Sequence, residues 1–259
     1  MIFDVFPKIN IFLKIIGFQG AYHTISSRFV LAIGNLKDII EIKSSKNFSL
    51  KGDFGCKMEE NLIYRSIIEL KNYLEFKNIK SSALECLHIE VEKKIPKGAG
   101  LGGGSADAGI CLIKINELFD FGLTQKELQY IGSKIGSDVS FFTSKYKSAN
   151  VSGIGEIIEE FREDEHTFEI FTPDIFCDTK KVYLEYDKNI QNQKPDLLKT
   201  LQHNCTEKIL SLYERKELND LLIPAINTYP ELDEIQKDLG KQWHFSGSGS
   251  SFFRLKDKK

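Results

Sequence analysis

The chain has 259 residues, 41% of them hydrophobic and 28% charged, enough for a sizeable core in one large domain or two modest ones. A net charge of −2 and a pI near 6.3, with no basic cluster, exclude the long-range attraction that nucleic acid or an anionic membrane would require. Small-molecule chemistry is the class that remains. The five cysteines (Cys56, Cys86, Cys111, Cys177, Cys205) are scattered, odd in number and without a CxxC pair, a usage that fits reduced packing thiols rather than disulfides or zinc ligands. No apolar run approaches the roughly 20 residues of a membrane helix, so a cytoplasmic, unanchored protein is expected.

Ile9, Ile11, Leu13 and Ile15 alternate with Lys8, Asn10, Phe12 and Lys14, a period of two that predicts a strand with one buried face. Lys8 and Asn10 then share the exposed face. Further strands are predicted over 38–43 and 87–91. Between them, Asn61 stands where a helix N-cap belongs, ahead of Ile63, Ile67, Leu70 and Leu74 at helical spacing. Cys111, Leu112, Ile115, Leu118 and Phe119 predict a second helix ended by Gly122. Thr124 and Glu127 make a capping box for a third, which carries Leu128, Ile131 and Ile135 and stops at Gly136. Residues 149–160 predict a hairpin turning at GIGE, and Glu163, Asp164 and Glu165 a solvated loop. A strand over 168–171, mostly helix over 195–222 and a short helix over 230–239 come next, and WHFSGSGSSFFRL closes as strand, turn and strand. Strands and helices mix without regular alternation, which predicts two α+β domains divided near residue 160 with a cleft between them.

Residues 96–109, PKGAGLGGGSADAG, concentrate six glycines between the strand over 87–91 and the second helix. Glycine lets backbone N–H groups approach a ligand but costs chain entropy, and an ordinary turn needs only one or two. Gly98, Gly100 and Gly103 satisfy GxGxxG, yet the next segment of chain is helical, without the second strand and acidic residue about 20 positions on that a dinucleotide fold requires. No lysine succeeds the glycines, so a Walker A loop fails as well. The remaining possibility is a glycine arch opening a helix at Ser105, Ala106 and Asp107, whose free N–H groups and dipole face a nucleotide phosphate. A helix terminus supplies about 0.5–2 kcal/mol toward an anion, whereas micromolar binding needs about 8, so other groups contribute. Asn61 is a candidate through its side-chain amide.

Three motifs together resemble the GHMP small-molecule kinases: PKINIFL at 7–13, the proline-led GLGGGS segment within 96–108, and SGSGSSFF at 246–253. Their order spans nearly the whole chain. The resemblance implies a two-domain GHMP kinase fold of the α+β class. Its parts are an N-terminal ribosomal-protein-S5-domain-2-like ATP-binding domain over 1–160 and a C-terminal ferredoxin-like α/β GHMP kinase domain over 161–259, with the active site in the cleft. It implies ATP and Mg2+ as cofactors, with Asn61, Pro96, Gly98, Gly100, Leu101, Gly102, Gly103, Gly104, Ser105 and Ala106 around the nucleotide, and Lys8 with Asp138 as the catalytic pair. Ser105 is a candidate Mg2+ ligand through its hydroxyl or a water; no carboxylate pair announces a metal site. Within the family, YH at 22–23, ENLIYR at 60–65 and GSDVSFF at 136–142 look like a member whose small-molecule substrate is cytidine diphosphate methylerythritol, an intermediate of the non-mevalonate isoprenoid pathway. Asn10 and Asp138 would then meet the acceptor, and Tyr22, His23 and Tyr183 would gather around its cytosine. Phe6, Pro7, the short GFQGA before Tyr22, and Ser137 and Ser140 beside Asp138 depart from the family pattern.

Phosphoryl transfer passes through a loose transition state, so an aspartate that orients the hydroxyl and takes its proton late is sufficient, and a lysine supplies the point charge. Another GHMP kinase, acting on mevalonate, homoserine or a sugar, and a non-catalytic nucleotide-binding sensor on the same fold are the alternatives. YH and GSDV speak against the first, and the joint presence of Lys8 and Asp138 against the second. No nucleic acid or membrane partner is expected, and the protein is expected to be a monomer or weak homodimer.

Overall fold

The computed structural model describes residues 1–190 and 195–256. In chain order the strands are β1 (Ile2–Val5), β2 (Lys8–Gln19), β3 (Tyr22–Leu31), β4 (Asp38–Ser44), β5 (Ser49–Gly52), β6 (Leu87–Glu92), β7 (Ser148–Ser152), β8 (Ile157–Glu160), β9 (Phe168–Phe171), β10 (His244–Phe245) and β11 (Phe252–Leu255). The helices are α1 (Leu62–Phe76), α2 (Gly103–Leu118), α3 (Gln125–Ile135), α4 (Ser137–Thr143), α5 (Thr179–Tyr186), α6 (Pro195–His203), α7 (Thr206–Leu212), α8 (Arg215–Leu218), α9 (Leu222–Thr228) and α10 (Glu231–Leu239). They form two compact units, neither continuous in sequence. The first takes Met1–Pro7, Asn35–Ile95 and Gly103–Tyr146; the second takes Lys8–Gly34, Pro96–Gly102 and the chain from Lys147 onward. A single cut near residue 160 does not separate these units. The reason is strand pairing: β2 and β3 join β7 and β8 in one sheet and draw the early chain into the second unit.

In the first unit the sheet order is β1-β4-β6-β5, with β5 parallel to β6 and the other pairs antiparallel. Ile40 and Ile42 on β4 and Ile89 and Val91 on β6 alternate with more exposed neighbours, giving the sheet one apolar face. Asn61 caps α1 as its position predicts, and Thr124 and Glu127 make the reciprocal capping box of α3. Helix α2 stops at Leu118, four residues before Gly122, because Asp120 and Gly122 both take positive φ (48° and 68°) and turn the chain toward Thr124. Helix α4 has no signal in the sequence. Five of its seven residues are buried, so it lacks the one-sided period that marks a surface helix.

The second unit holds the antiparallel sheets β2-β3-β7-β8 and β10-β11-β9. The predicted hairpin over 149–160 and the closing strand pair are both present. Strand β2 departs from the expectation of one buried face: Lys8, Asn10, Phe12 and Lys14 are as buried as the isoleucines between them. Lysine can be buried there because each ammonium meets oxygen. That of Lys14 donates to the Glu217 carbonyl at 3.0 Å and pairs with Asp220. Glu163 is likewise not solvated, since it accepts from Ser148 Oγ at 2.7 Å and from Thr206 N and Oγ1 at 2.7 and 2.8 Å; Asp164 and Glu165 are exposed as expected. Packing describes Cys111 and Cys177, but Cys56, Cys86 and Cys205 are exposed. Among the described residues, no helix is long and apolar enough to cross a membrane.

Candidate active site

The second unit brings the three sequence motifs to one carbonyl oxygen. Lys8 Nζ donates to Asn10 Oδ1 at 2.6 Å and to the Gly100 carbonyl at 3.1 Å, and lies 4.6 Å over the Phe29 ring. Ser246 Oγ donates to the same Gly100 carbonyl at 3.1 Å and accepts from the Asn10 backbone N–H at 3.2 Å. The Asn10 amide is fixed in turn, with Nδ2 donating to Ser27 Oγ at 3.0 Å. Residues from the N-terminal strand, the glycine segment and the C-terminal turn thus close one network, although 146 residues separate Gly100 from Ser246. Gly100 is obligatory here. Its φ is +71°, and a Cβ would stand 2.1 Å from the Ser246 carbonyl oxygen. The remainder of the arch is tied down by its backbone, with Lys8 N donating to Leu101 O at 3.0 Å and Cys177 N to Gly98 O at 2.9 Å.

Asn219 holds the third motif from behind and carries no signal in the sequence. Its Nδ2 donates to the Phe245 and Gly247 carbonyls at 3.1 and 2.9 Å, and its Oδ1 accepts from Leu221 N at 2.8 Å, all at 2% exposure. Nothing in its neighbourhood along the chain marks it, because these partners, Leu221 excepted, lie more than 20 residues away.

The glycine run enters the first unit at Gly103, where α2 begins, and Gly103, Gly104, Ser105 and Ala106 form its first turn, whose N–H groups find no partner within the helix itself. Gly104 is exposed and Ser105 half-buried; Gly103 packs against Ile95, whose Cγ2 a Cβ would meet at 2.7 Å. Pro96 is exposed and Leu101, in the second unit, is buried. Asn61 uses Oδ1 on the N–H groups of Ile63 (2.8 Å) and Tyr64 (3.4 Å), so only its amide nitrogen is left for a ligand.

Behind the first turn of α2 lies a charge cluster that no sequence pattern announces. Lys93 Nζ donates to Asp107 Oδ2 at 2.6 Å and pairs with Asp38, whose Oδ1 also accepts from the N–H groups of Lys94 and Ile95. Burial drives the Asp107 carboxyl up to about 7; the Lys93 charge opposes that rise, and Asp38 adds to it. Burial also penalises the Lys93 ammonium, but its two carboxylates outweigh this and raise its pKa.

Asp138 sits half-buried in the first turn of α4, where the helix dipole favours a carboxylate. Glycines set that helix in place. A Cβ on Gly109 of α2 would meet Phe142 Cβ at 2.7 Å, and one on Gly132 of α3 would crowd Val139 and Thr143 at 3.2 Å.

At the far end of β2, a tight turn at Gly20 and Ala21 brings Phe18 opposite His23 on β3. The His23 ring lies 4.7 Å from Phe18 and 4.8 Å from Tyr183, with Tyr186 edge-on at 5.9 Å, and its Nε2 hydrogen-bonds Asp187 Oδ1 at 2.6 Å. His23 and Tyr183 are therefore together. Tyr22 is 66% exposed and presents an open aromatic face.

The class of protein, a small-molecule kinase, is given by the relatives this chain matches. The chain belongs to the GHMP kinase family: residues 61–146 match the model of the GHMP kinases N terminal domain, and full-length relatives carry the match across the whole chain. One such relative is the 4-diphosphocytidyl-2-C-methyl-D-erythritol kinase of Helicobacter pylori strain J99, 49% identical over 263 residues that cover 99% of this chain and 94% of that protein. Among solved structures, a 4-(cytidine 5'-diphospho)-2C-methyl-D-erythritol kinase superposes with a TM-score of 0.77 at 28% identity, covering 99% of this chain and 90% of that one. A homoserine kinase from Cytophaga hutchinsonii shares the fold alone, with a TM-score of 0.69 at 19% identity over 100% of this chain and 86% of its own.

Proposed function

We propose that this protein transfers the γ-phosphoryl group of ATP to the 2-hydroxyl of 4-diphosphocytidyl-2-C-methyl-D-erythritol, in the methylerythritol phosphate route to isoprenoid precursors. The observation that carries the reading is the convergence of Lys8, Asn10, Gly100 and Ser246 on one network, in a chain whose full-length relatives bear that kinase name. The acceptor oxygen attacks Pγ, the bond from Pγ to the β,γ-bridging oxygen breaks, ADP leaves, and the hydroxyl proton passes to Asp138. Lys8 neutralises charge developing on the transferred group, and Asn10, which already orients Lys8, meets the acceptor. Gly98, Gly100, Leu101, Gly102 and the first turn of α2 from Gly103 to Ala106 offer N–H groups to the phosphates, with Pro96 leading in and the Asn61 amide nitrogen left to bind the nucleotide.

Mg2+ binds few protein ligands and is commonly held through substrate phosphates, so in this reading it would enter with ATP, with the half-buried Ser105 in the first turn of α2 as its protein hydroxyl. Bound there, it supplies further charge neutralisation. The aromatic faces of Tyr22 and Tyr183 and the polar ring of His23 suit a pyrimidine, and base stacking contributes about 1–3 kcal/mol per base. The reduced cysteines support a cytoplasmic setting, and we take the protein to act alone on its small molecules, as a monomer or weak homodimer.

Coupled measurement of ADP release tests the reading: turnover is expected only with 4-diphosphocytidyl-2-C-methyl-D-erythritol present. Turnover with mevalonate or homoserine and none with that alcohol would overturn it. Asp138→Asn is expected to lower kcat at least about a hundredfold while ATP affinity stays within twofold of the parent, read by single-turnover kinetics and calorimetry. An unchanged rate would remove Asp138 from the chemistry.

A further inference from the structure

The hydrogen bond between His23 and Asp187 gives the aromatic cluster a direction. A carboxylate only accepts hydrogen bonds, so the contact at 2.6 Å places a proton on His23 Nε2, and in the neutral ring Nδ1 is then the lone-pair atom facing a ligand. Among the described residues the hydrogen bond of the His23 ring is the one made by Nε2. The ring cannot easily turn away, since Phe18 and Tyr183 lie against it at 4.7 and 4.8 Å and only 11% of the side chain is exposed.

We infer that Asp187 is the positioning residue that sets base selectivity: by holding His23 in its Nε2–H form it presents an Nδ1 lone pair, which complements a pyrimidine carrying an exocyclic amine. Cytosine carries that amine; uracil carries a carbonyl oxygen in its place, and two lone pairs repel. Asp187 itself stays out of contact with the substrate and acts through His23. The inference rests on the cytidine-binding reading of this site, and its test separates the two.

Inhibition constants for CDP and UDP, with KM for the acceptor and for ATP, are measured for the parent, Asp187→Ala and Asp187→Asn. In the parent, CDP is expected to bind more tightly than UDP. Asp187→Ala frees the ring to present either tautomer, so the ratio of the two constants should narrow about tenfold, the equivalent of one hydrogen bond. Acceptor KM rises while ATP KM stays put. Asp187→Asn retains an acceptor oxygen and should keep the ratio within about threefold of the parent. A ratio unmoved by Asp187→Ala overturns the inference and leaves the cytidine reading intact. A rise of both KM values together, with a lowered unfolding midpoint, overturns it in favour of a merely structural role. A parent enzyme indifferent to CDP and UDP overturns the cytidine reading and the inference with it.

Discussion

Asn61 finds its hydrogen-bond partners two and three residues along the chain, whereas the Gly100 carbonyl receives Lys8 from 92 residues back and Ser246 from 146 residues ahead. The contrast runs through both units. In the first, helix ends are fixed by neighbours in sequence: the Asn61 cap, the Thr124 and Glu127 box, the turn at Gly136. In the second, the glycine arch is positioned by groups that meet only once the whole unit has closed. A substitution in the first kind of feature subtracts one interaction and leaves the rest standing. In the second kind, a displaced atom moves several partners at once, because Gly100, Ser246, Asn10 and Lys8 share one network.

Gly100→Ala presses hardest on this difference. The added Cβ would meet the Ser246 carbonyl oxygen at 2.1 Å at a residue with φ +71°, and neither backbone can yield alone. Positive φ and overpacking together cost more than about 3 kcal/mol, which should appear as a lowered unfolding midpoint and loss of ATP binding. An unchanged midpoint would erase the distinction between laced and local features.

A smaller effect sharpens it through pH. Asp107 titrates near 7 when folded, above its unfolded range, so it binds protons preferentially in the native state. Its favourable contribution is therefore complete at low pH and disappears as pH rises through 7. Asp107→Asn lacks that loss, so its stability relative to the parent should improve by roughly 2 kcal/mol between pH 5 and pH 8 in urea titrations. A pH-independent difference would remove Asp107 as the cause. In the second unit the sign reverses: burial, with the nearby Arg215 charge adding to it, lowers His244 to about 4, a group whose native preference for neutrality erodes stability as pH falls from 6.5 toward 4. The smallest effect belongs to Thr124→Ala, which removes one capping box; about 1 kcal/mol of stability and no change in kcat are expected from melts and steady-state rates.

The same division decides what the sequence makes legible. Caps, capping boxes, hairpins and the glycine segment are short-range patterns, and nearly every element drawn from them stands in the fold. Lys8 is legible as a residue of interest through its motif, but its burial is not: alternation says which side chains share a face, never what covers that face. Glu163 looks like part of a charge run and is an acceptor for Ser148 and Thr206. Asp107 looks like a helix-opening acid near phosphate and is held behind that helix by Lys93. Asn219 and Asp187 have no pattern around them at all. Each takes its meaning from a partner brought in by tertiary structure: the carbonyls at Phe245 and Gly247, and the His23 ring.

The chain passes between the two units five times, at residues 7, 34, 95, 102 and 146. Synthesis on a ribosome is vectorial, at about 5–20 residues per second, so Ser246 leaves the decoding centre about 7–30 s after Gly100. Throughout that interval the glycine segment exists without the hydroxyl that holds it. Lys8 reaches its final environment only after the last strand pair has been made, and a nascent chain stalled before residue 246 should have an assembled first unit but no closed glycine arch.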